Sequence, residues 1–186
     1  MDKLIRTFNG LDEEVLSELM PMMGKTCWKV VRLEGQGLSL EFGEKVQYEG
    51  NNPKLKNIFH GEWNIGTWDG CAWRILDKDG SILCGSDDQN DTGYIDNKLA
   101  TIQLGKIICI ANPTKLDVRV GFDSGKNIDF MTTITMMGYG MDKNIMPTLT
   151  DDFECFHVFC PNSRYVELST TGVWKISITN WESGAA

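Results

Sequence analysis

The fold is decided by residues 97–130, which read NKLATIQLGKIICIANPTKLDVRVGFDSGKNIDF. The stretch predicts a short helical opening, an apolar strand and a turn at Asn112-Pro113. A strict alternation of apolar and polar residues follows, which is the period of a half-buried strand. Its apolar members are Val118, Val120 and Phe122. The tetrapeptide at 123–126 then predicts a tight turn into a further strand.

Residues 18–49 follow the same plan, ELMPMMGKTCWKVVRLEGQGLSLEFGEKVQYE. In this alignment Gly24-Lys25 lies opposite Gly105-Lys106, 38–42 opposite 118–122, Val46 and Tyr48 opposite Ile128 and Phe130, and 73–83 opposite 156–166. Matched features in matched order predict an internal duplication, and such repeats determine a fold.

The predicted fold is therefore mainly β (α+β). It consists of two duplicated antiparallel β-meander units, residues 1–96 and 97–186, packed as one compact body. A short N-terminal helix at 11–20 and a short central helix accompany them, and Pro21 is expected to end the first. Further strands are predicted near 27–33, 37–43, 45–49, 71–76, 81–85 and 173–179, with a final hairpin before the last.

Charge narrows the classes of partner. The chain has 186 residues, with 18 basic and 26 acidic side chains and a net charge of −8. This balance argues against direct nucleic-acid binding, which needs a basic surface, and suits a basic protein partner. The chain has no apolar run of about 18 residues and no apolar leader, so we expect no membrane span and a cytoplasmic location.

Cysteine and histidine patterns predict neither a metal site nor a cofactor. The six cysteines form no Cys-x-x-Cys pair and are expected to be reduced. The acidic segment 77–96 lacks the ligand spacing of an EF-hand. Only two histidines occur, His60 and His157, and no motif frames a nucleophile beside either. We therefore predict no enzymatic activity and name no catalytic residue.

The candidate partner-binding residues are acids and aromatics in predicted loops. Aromatic side chains supply contact energy at interfaces, and charges supply orientation and association rate. The candidates are Asp87, Asp88 and Asp91 in the acidic loop, Trp63 and Trp68 in a first insertion at 50–70, and Tyr139 in a second at 132–154.

The order of these motifs resembles a bacterial family of small β-rich domains of uncharacterised function. The residues that carry the likeness are Leu99, Leu104, Gly105, Lys106, Val118, Val120, Phe122, Gly125, Ile128, Phe130, Phe156 and Val158. Domains of this kind often accompany polymorphic toxin systems as immunity proteins. The pattern consists of core and turn residues, so it transfers fold better than function. The family unit is single, whereas two are predicted here.

Two functions are consistent with these features. The first is a cytoplasmic immunity or antitoxin-like protein that neutralises a basic cognate toxin by direct binding. The alternative is a small-molecule-binding β-barrel or enzyme with the two insertions around a pocket, in which His60 and Cys71 are the residues to test. The sequence does not specify the toxin, the binding surface or the oligomeric state.

Overall fold

The computed structural model describes residues 11, 13–33, 37–47, 58–67, 71–88, 93–132 and 154–178. Their elements, in chain order, are α1 (Glu13–Leu19), a short 3-10 helix (Met20–Met22), β1 (Thr26–Arg32), β2 (Leu38–Gln47), β3 (Phe59–Thr67), β4 (Cys71–Leu76), β5 (Ile82–Gly85), α2 (Tyr94–Thr101), β6 (Gly105–Thr114), β7 (Asp117–Phe122), β8 (Asn127–Thr132), β9 (Glu154–Cys160), β10 (Arg164–Ser169) and β11 (Trp174–Ile178). The mainly-β prediction with two short helices is confirmed.

All eleven strands join one antiparallel sheet. The strand order is β11-β10-β9-β3-β2-β1-β6-β7-β8-β4-β5. The ladder between β1 and β6, in the middle of the sheet, has the fewest residue pairs. These pairs are Thr26–Lys106 and Cys27–Gly105. Blocks of strands from residues 1–96 and from residues 97–186 therefore alternate across the sheet, and both predicted units contribute strands to it.

The sheet doubles over at this narrow connection, so that its apolar face is buried against itself. Phe42 of β2 stacks on Phe122 of β7 with ring centroids 6.3 Å apart and planes 2° apart. Phe130 of β8 packs on Phe156 of β9 at 5.1 Å. These strands are not sheet neighbours, so the contacts show two layers packed face to face around one core.

Local sequence explains the strands that were predicted correctly. Val118, Val120 and Phe122 are all buried, as their alternation requires, and the turn at 123–126 leads into β8 as expected. Gly125 has φ +84°, a conformation that favours glycine. The hairpin of β4 and β5 and the strands near 154–178 also lie where the pattern predicts them.

Three local predictions were wrong. β2 continues through Gly43, where a turn was predicted, because a bulge between Phe42 and Lys45 absorbs the irregularity. The first insertion contains β3, whose glycines pack within the sheet. The third strand of the first meander is therefore β3, and the alignment of Val46 with Ile128 does not hold.

Both helices cover the sheet. α1 buries Val15 and Leu19, contacts β11, and gives way to the 3-10 turn at Pro21. Glu18 of α1 forms an ion pair with Arg164 of β10. α2 buries Ile95 and Leu99 one helical turn apart and packs on β1 and β5. Neither described helix has the length or apolar character needed to cross a membrane.

We expect Phe122→Ala to lower the free energy of unfolding by about 3–5 kcal/mol, because it removes a fully buried ring from the contact between layers. Phe42→Ala should behave alike, and the double variant should lose less than the sum, since the two rings contact each other. Chemical denaturation measures these changes. Val46→Ala, at an exposed site on β2, is the control. A loss below about 1 kcal/mol at both phenylalanines would contradict this account of the core.

Candidate functional site

The predicted acidic loop begins at a structured turn after β5. Ser86 N–H donates to the Trp73 carbonyl over 2.9 Å, and Ser86 Oγ accepts the Trp73 N–H over 3.1 Å. Asp88 Oδ2 accepts the Gly85 N–H over 2.9 Å. A Cβ at Gly85 would lie 2.9 Å from the backbone carbonyl oxygen of Trp73, so glycine permits this close approach. The turn therefore holds Asp87 and Asp88 in defined positions.

Asp87 combines an ion pair with high exposure. Arg74 Nη2 lies 2.9 Å from Asp87 Oδ2, and the Asp87 side chain is 64% exposed. The hydrogen bond from Arg74 lowers the pKa of Asp87, so this carboxylate stays ionised at neutral pH. Exposed pairs of this kind contribute little to stability. Asp87 can therefore exchange Arg74 for a cation from a partner.

α2 adds an aromatic ring and a third carboxylate. Tyr94 is 41% exposed at the start of the helix, with Lys98 Nζ 5.7 Å from its ring centroid. Asp96 is 54% exposed and lies 3.2 Å from Arg32. We name the set Asp87, Asp88, Tyr94 and Asp96 the β5–α2 corner, since α2 packs against β5.

The structure changes the predicted binding set. Asp87 and Asp88 lie at the corner as described. Trp63 is a correction: it lies in β3 rather than in a loop, and at 4% exposure it belongs to the core. Its ring is therefore not available for contact with a partner in this conformation. Asp91, Trp68 and Tyr139 lie outside the described residues.

Tyr94 and Asp96 were missed by sequence reasoning, although the sequence carries a signal for them. Ile95 and Leu99 are spaced four residues apart and face the core. Their neighbours Tyr94 and Asp96 must then lie off the buried stripe, so helical periodicity predicts their exposure.

The outer face of β3, β9 and β10 carries a second polar group. His157 is 3% exposed, and its Nδ1 lies 2.7 Å from Glu154 Oε1. Its ring stacks on Tyr165 with centroids 5.6 Å apart. Glu167 is the cross-strand partner of His157. Burial, followed by the nearby Glu154 charge, raises the pKa of Glu167.

His157 is poorly placed for proton transfer to a substrate. Nδ1 is engaged by Glu154, and Nε2 lies over Gly66, where a Cβ would come within 2.2 Å of it. A general base needs a ring nitrogen within reach of a substrate proton. The geometry instead fits a buried imidazole that fills the space above a glycine.

The two residues of the enzyme alternative are not brought together. His60 lies near the start of β3, whereas Cys71 begins β4 beyond the far end of β3 at Thr67, and seven residues of strand correspond to roughly 23 Å. Cys71 is buried, and its hydrogen bond with Cys155 together with burial raises its pKa well above that of a free thiol. A nucleophilic cysteine requires the opposite shift.

A cavity of about 460 Å³ lies between β1 and the α2–β6 connection. Its walls include Trp28, Val30, Leu99 and Leu104.

The six cysteines are all free. Within the described ranges, no three His, Cys, Asp or Glu side chains converge as metal ligands would.

Gly66→Ala should destabilise the protein by about 1–3 kcal/mol, because the new methyl group overlaps the His157 ring. His157→Ala in the same chain removes the obstacle, so the double variant should be more stable than additivity predicts. Thermal or denaturant unfolding of the four proteins completes the cycle. Additive losses would show that the ring does not lie on Gly66 in solution.

Glu167→Gln tests the electrostatics of the same face. The folded-state pKa of Glu167 is raised, so its contribution to stability is fully present below the unfolded pKa of about 4.3 and is lost as pH rises through the folded value. The stability of wild type relative to Glu167→Gln should therefore fall as pH rises through this window. Melting temperatures from acidic to neutral pH measure it, with Glu44→Gln on exposed β2 as control. If the stability of wild type relative to Glu167→Gln instead increased with pH, the raised pKa of Glu167 would be contradicted.

No family model, no curated protein and no solved structure matches the chain.

Proposed function

We propose that the chain is an immunity-like binding protein that neutralises a basic cognate toxin by direct contact in the cytoplasm. The observation that carries the proposal is the β5–α2 corner, which presents three exposed or half-exposed carboxylates and an exposed tyrosine on two elements that pack together. Tyrosine is enriched among the residues that dominate binding energy, and carboxylates steer a cationic partner.

The total charge supports the same partner class. At −8 the protein attracts cationic surfaces over distances comparable to the Debye length, which raises the rate of encounter. The toxin's lysine or arginine side chains would compete with Arg74 and Arg32 for Asp87 and Asp96. Because these internal pairs are exposed, exchanging them costs little.

Inhibition by occlusion fits a rigid corner better than a catalytic site. The turn after β5 is fixed by three hydrogen bonds, so its carboxylates need little ordering on binding. The alternative of a ligand-binding barrel is favoured by one observation, the cavity beside Trp28. Its lining lacks a charged cluster that would specify a reaction.

The direct test co-expresses this chain with the protein encoded immediately upstream of its gene, after confirming that the upstream protein alone arrests growth. Protection of growth together with a purified complex supports the proposal. A toxic upstream protein that neither binds this chain nor is neutralised by it would refute the assignment.

Asp87→Asn with Asp88→Asn should slow association with that partner by about threefold to tenfold at low salt, because two steering charges are lost. The salt dependence of the association rate should also weaken. Surface plasmon resonance at low and moderate salt provides the rates, and unfolding curves check that the turn survives.

The matched control is Asp79→Asn with Asp123→Asn. It removes the same charge from two other exposed turns, one between β4 and β5 and one between β7 and β8. An equal slowing by both variants would mean that total charge, rather than the corner, guides association. Unchanged rates in the first variant would remove the corner from the interface.

A further inference from the structure

The strand order reads the same from the β1–β6 junction in both directions. On one side the order is β1, β2, β3, β9, β10 and then the edge strand β11, and on the other it is β6, β7, β8, β4, β5, so that among the described strands only β11 has no counterpart. If β1 to β5 correspond to β6 to β10, the first three strands of each half lie together. The hairpin that follows them then lies on the other half.

Residue pairing obeys the same correspondence. Cys27 pairs with Phe42 as Ile107 pairs with Phe122. Further along, Leu40 pairs with Ile65 as Val120 pairs with Ile128. The exchanged hairpins agree as well, because Ile65 pairs with Val158 as Ile128 pairs with Ile75. The same set of equivalent residues therefore relates the pairing of β1–β2 to β6–β7, of β2–β3 to β7–β8, and of β3–β9 to β8–β4.

Irregular features repeat along with the regular ones. A bulge interrupts β1–β2 between Cys27 and Lys29, and a second interrupts β6–β7 between Ile107 and Cys109, at the equivalent step. Gly24 and Gly105 lie one position apart under this correspondence, and both have positive φ, of +82° and +85°, at or just before the starts of β1 and β6. General resemblance among meanders does not explain bulges at the same register, since bulges occur at specific places.

The central junction has the form of a two-fold contact. Under this correspondence Thr26 is equivalent to Lys106, and these two residues pair with each other. A residue that pairs with its own equivalent is the mark of an isologous interface, in which one surface meets a copy of itself. The stacked Phe42 and Phe122 are also equivalent to one another.

We propose that the chain is a fused pair of copies of one unit, each of which donates its C-terminal hairpin to the other. β3 accepts β9–β10 from the second copy, and β8 accepts β4–β5 from the first. The recognised partner of each half is thus a second copy of the same unit, joined by reciprocal exchange of an identical element.

Contacts at the crossing point favour the exchange. Only residues 68–70 separate β3 from β4 in the sequence, although the two strands lie in opposite halves of the sheet. Cys71 pairs with Thr132, and Thr132 Oγ1 lies 3.1 Å from Cys155 Sγ at the start of β9. The start of β4, the end of β8 and the start of β9 therefore lie together where the two halves meet.

The copies have diverged on their outer faces while keeping their cores. Arg74 and Asp129 pair on β4 and β8, and their equivalents are His157 and Gly66 on β9 and β3. The members of the first pair are cross-strand neighbours that bind other residues, Asp129 to Arg119 at 2.5 and 2.6 Å and Arg74 to Asp87 at 2.9 Å. The second is the buried imidazole over glycine.

Paired cysteine substitutions in the full chain distinguish exchange from its absence. In the exchanged arrangement Leu76 of β4 pairs with Asn127 of β8. The residue equivalent to Asn127 on β3 is Asn64. If the β4–β5 hairpin instead paired with β3 of its own half, Leu76 would lie opposite Asn64. Under mild oxidation we expect Leu76→Cys with Asn127→Cys to form a disulfide, and Leu76→Cys with Asn64→Cys to form none. Peptide mapping by mass spectrometry identifies the bond, with wild type as the blank for the native thiols.

A disulfide in the second variant and none in the first would overturn the exchange. The relation between the copies has its own test in an experimental structure. β1, β2, β3, β9 and β10 should superpose on β6, β7, β8, β4 and β5 with Cys27 on Ile107, Leu40 on Val120, Ile65 on Ile128 and Val158 on Ile75. A best superposition in any other register would refute common origin of the halves.

Discussion

The architecture depends on burying one apolar face of a long sheet, which among the described elements has only short helices to cover it. Only two residue pairs join β1 to β6, and the sheet folds over at this connection so that its two halves pack face to face. Phe42 stacks on Phe122 where the halves meet. The hydrophobic effect supplies the driving force, and the shortness of the ladder permits the fold. Both helices then cover apolar residues that the layers leave open.

All three acidic side chains at the β5–α2 corner have a structural contact as well as an exposed or half-exposed surface. Asp88 holds the turn, Asp87 pairs with Arg74, and Asp96 links α2 to β1 through Arg32. These contacts fix the carboxylates without burying them. A preorganised, charged surface suits binding in which speed and orientation matter, because little conformational freedom is lost on contact.

Polar groups on the outer face of β3 and β9 have a different role. Asn64 donates to Ser39 over 2.8 Å, and Glu41 accepts the Gly61 N–H over 2.7 Å. His157 and Glu154 lie close together on the same face, and the contacts of Asn64 and Glu41 are hydrogen bonds with defined partners. Buried polar groups that are satisfied in this way favour one arrangement of strands over others, since a shift in register would leave them unpaired.

The sequence by itself determined the local structure. Alternation at Val118, Val120 and Phe122 specified a buried face, and spacing at Ile95 and Leu99 specified the inner side of α2, because period and burial are linked along one element. Exposed turn acids such as Asp87 were also predictable. Only the tertiary structure decided that Trp63 is a core residue, that β3 lies within the first insertion, and that each hairpin pairs with the opposite half. Strand partners are chosen by contacts between residues distant in the chain, and no local pattern encodes which of two similar edges a hairpin will join.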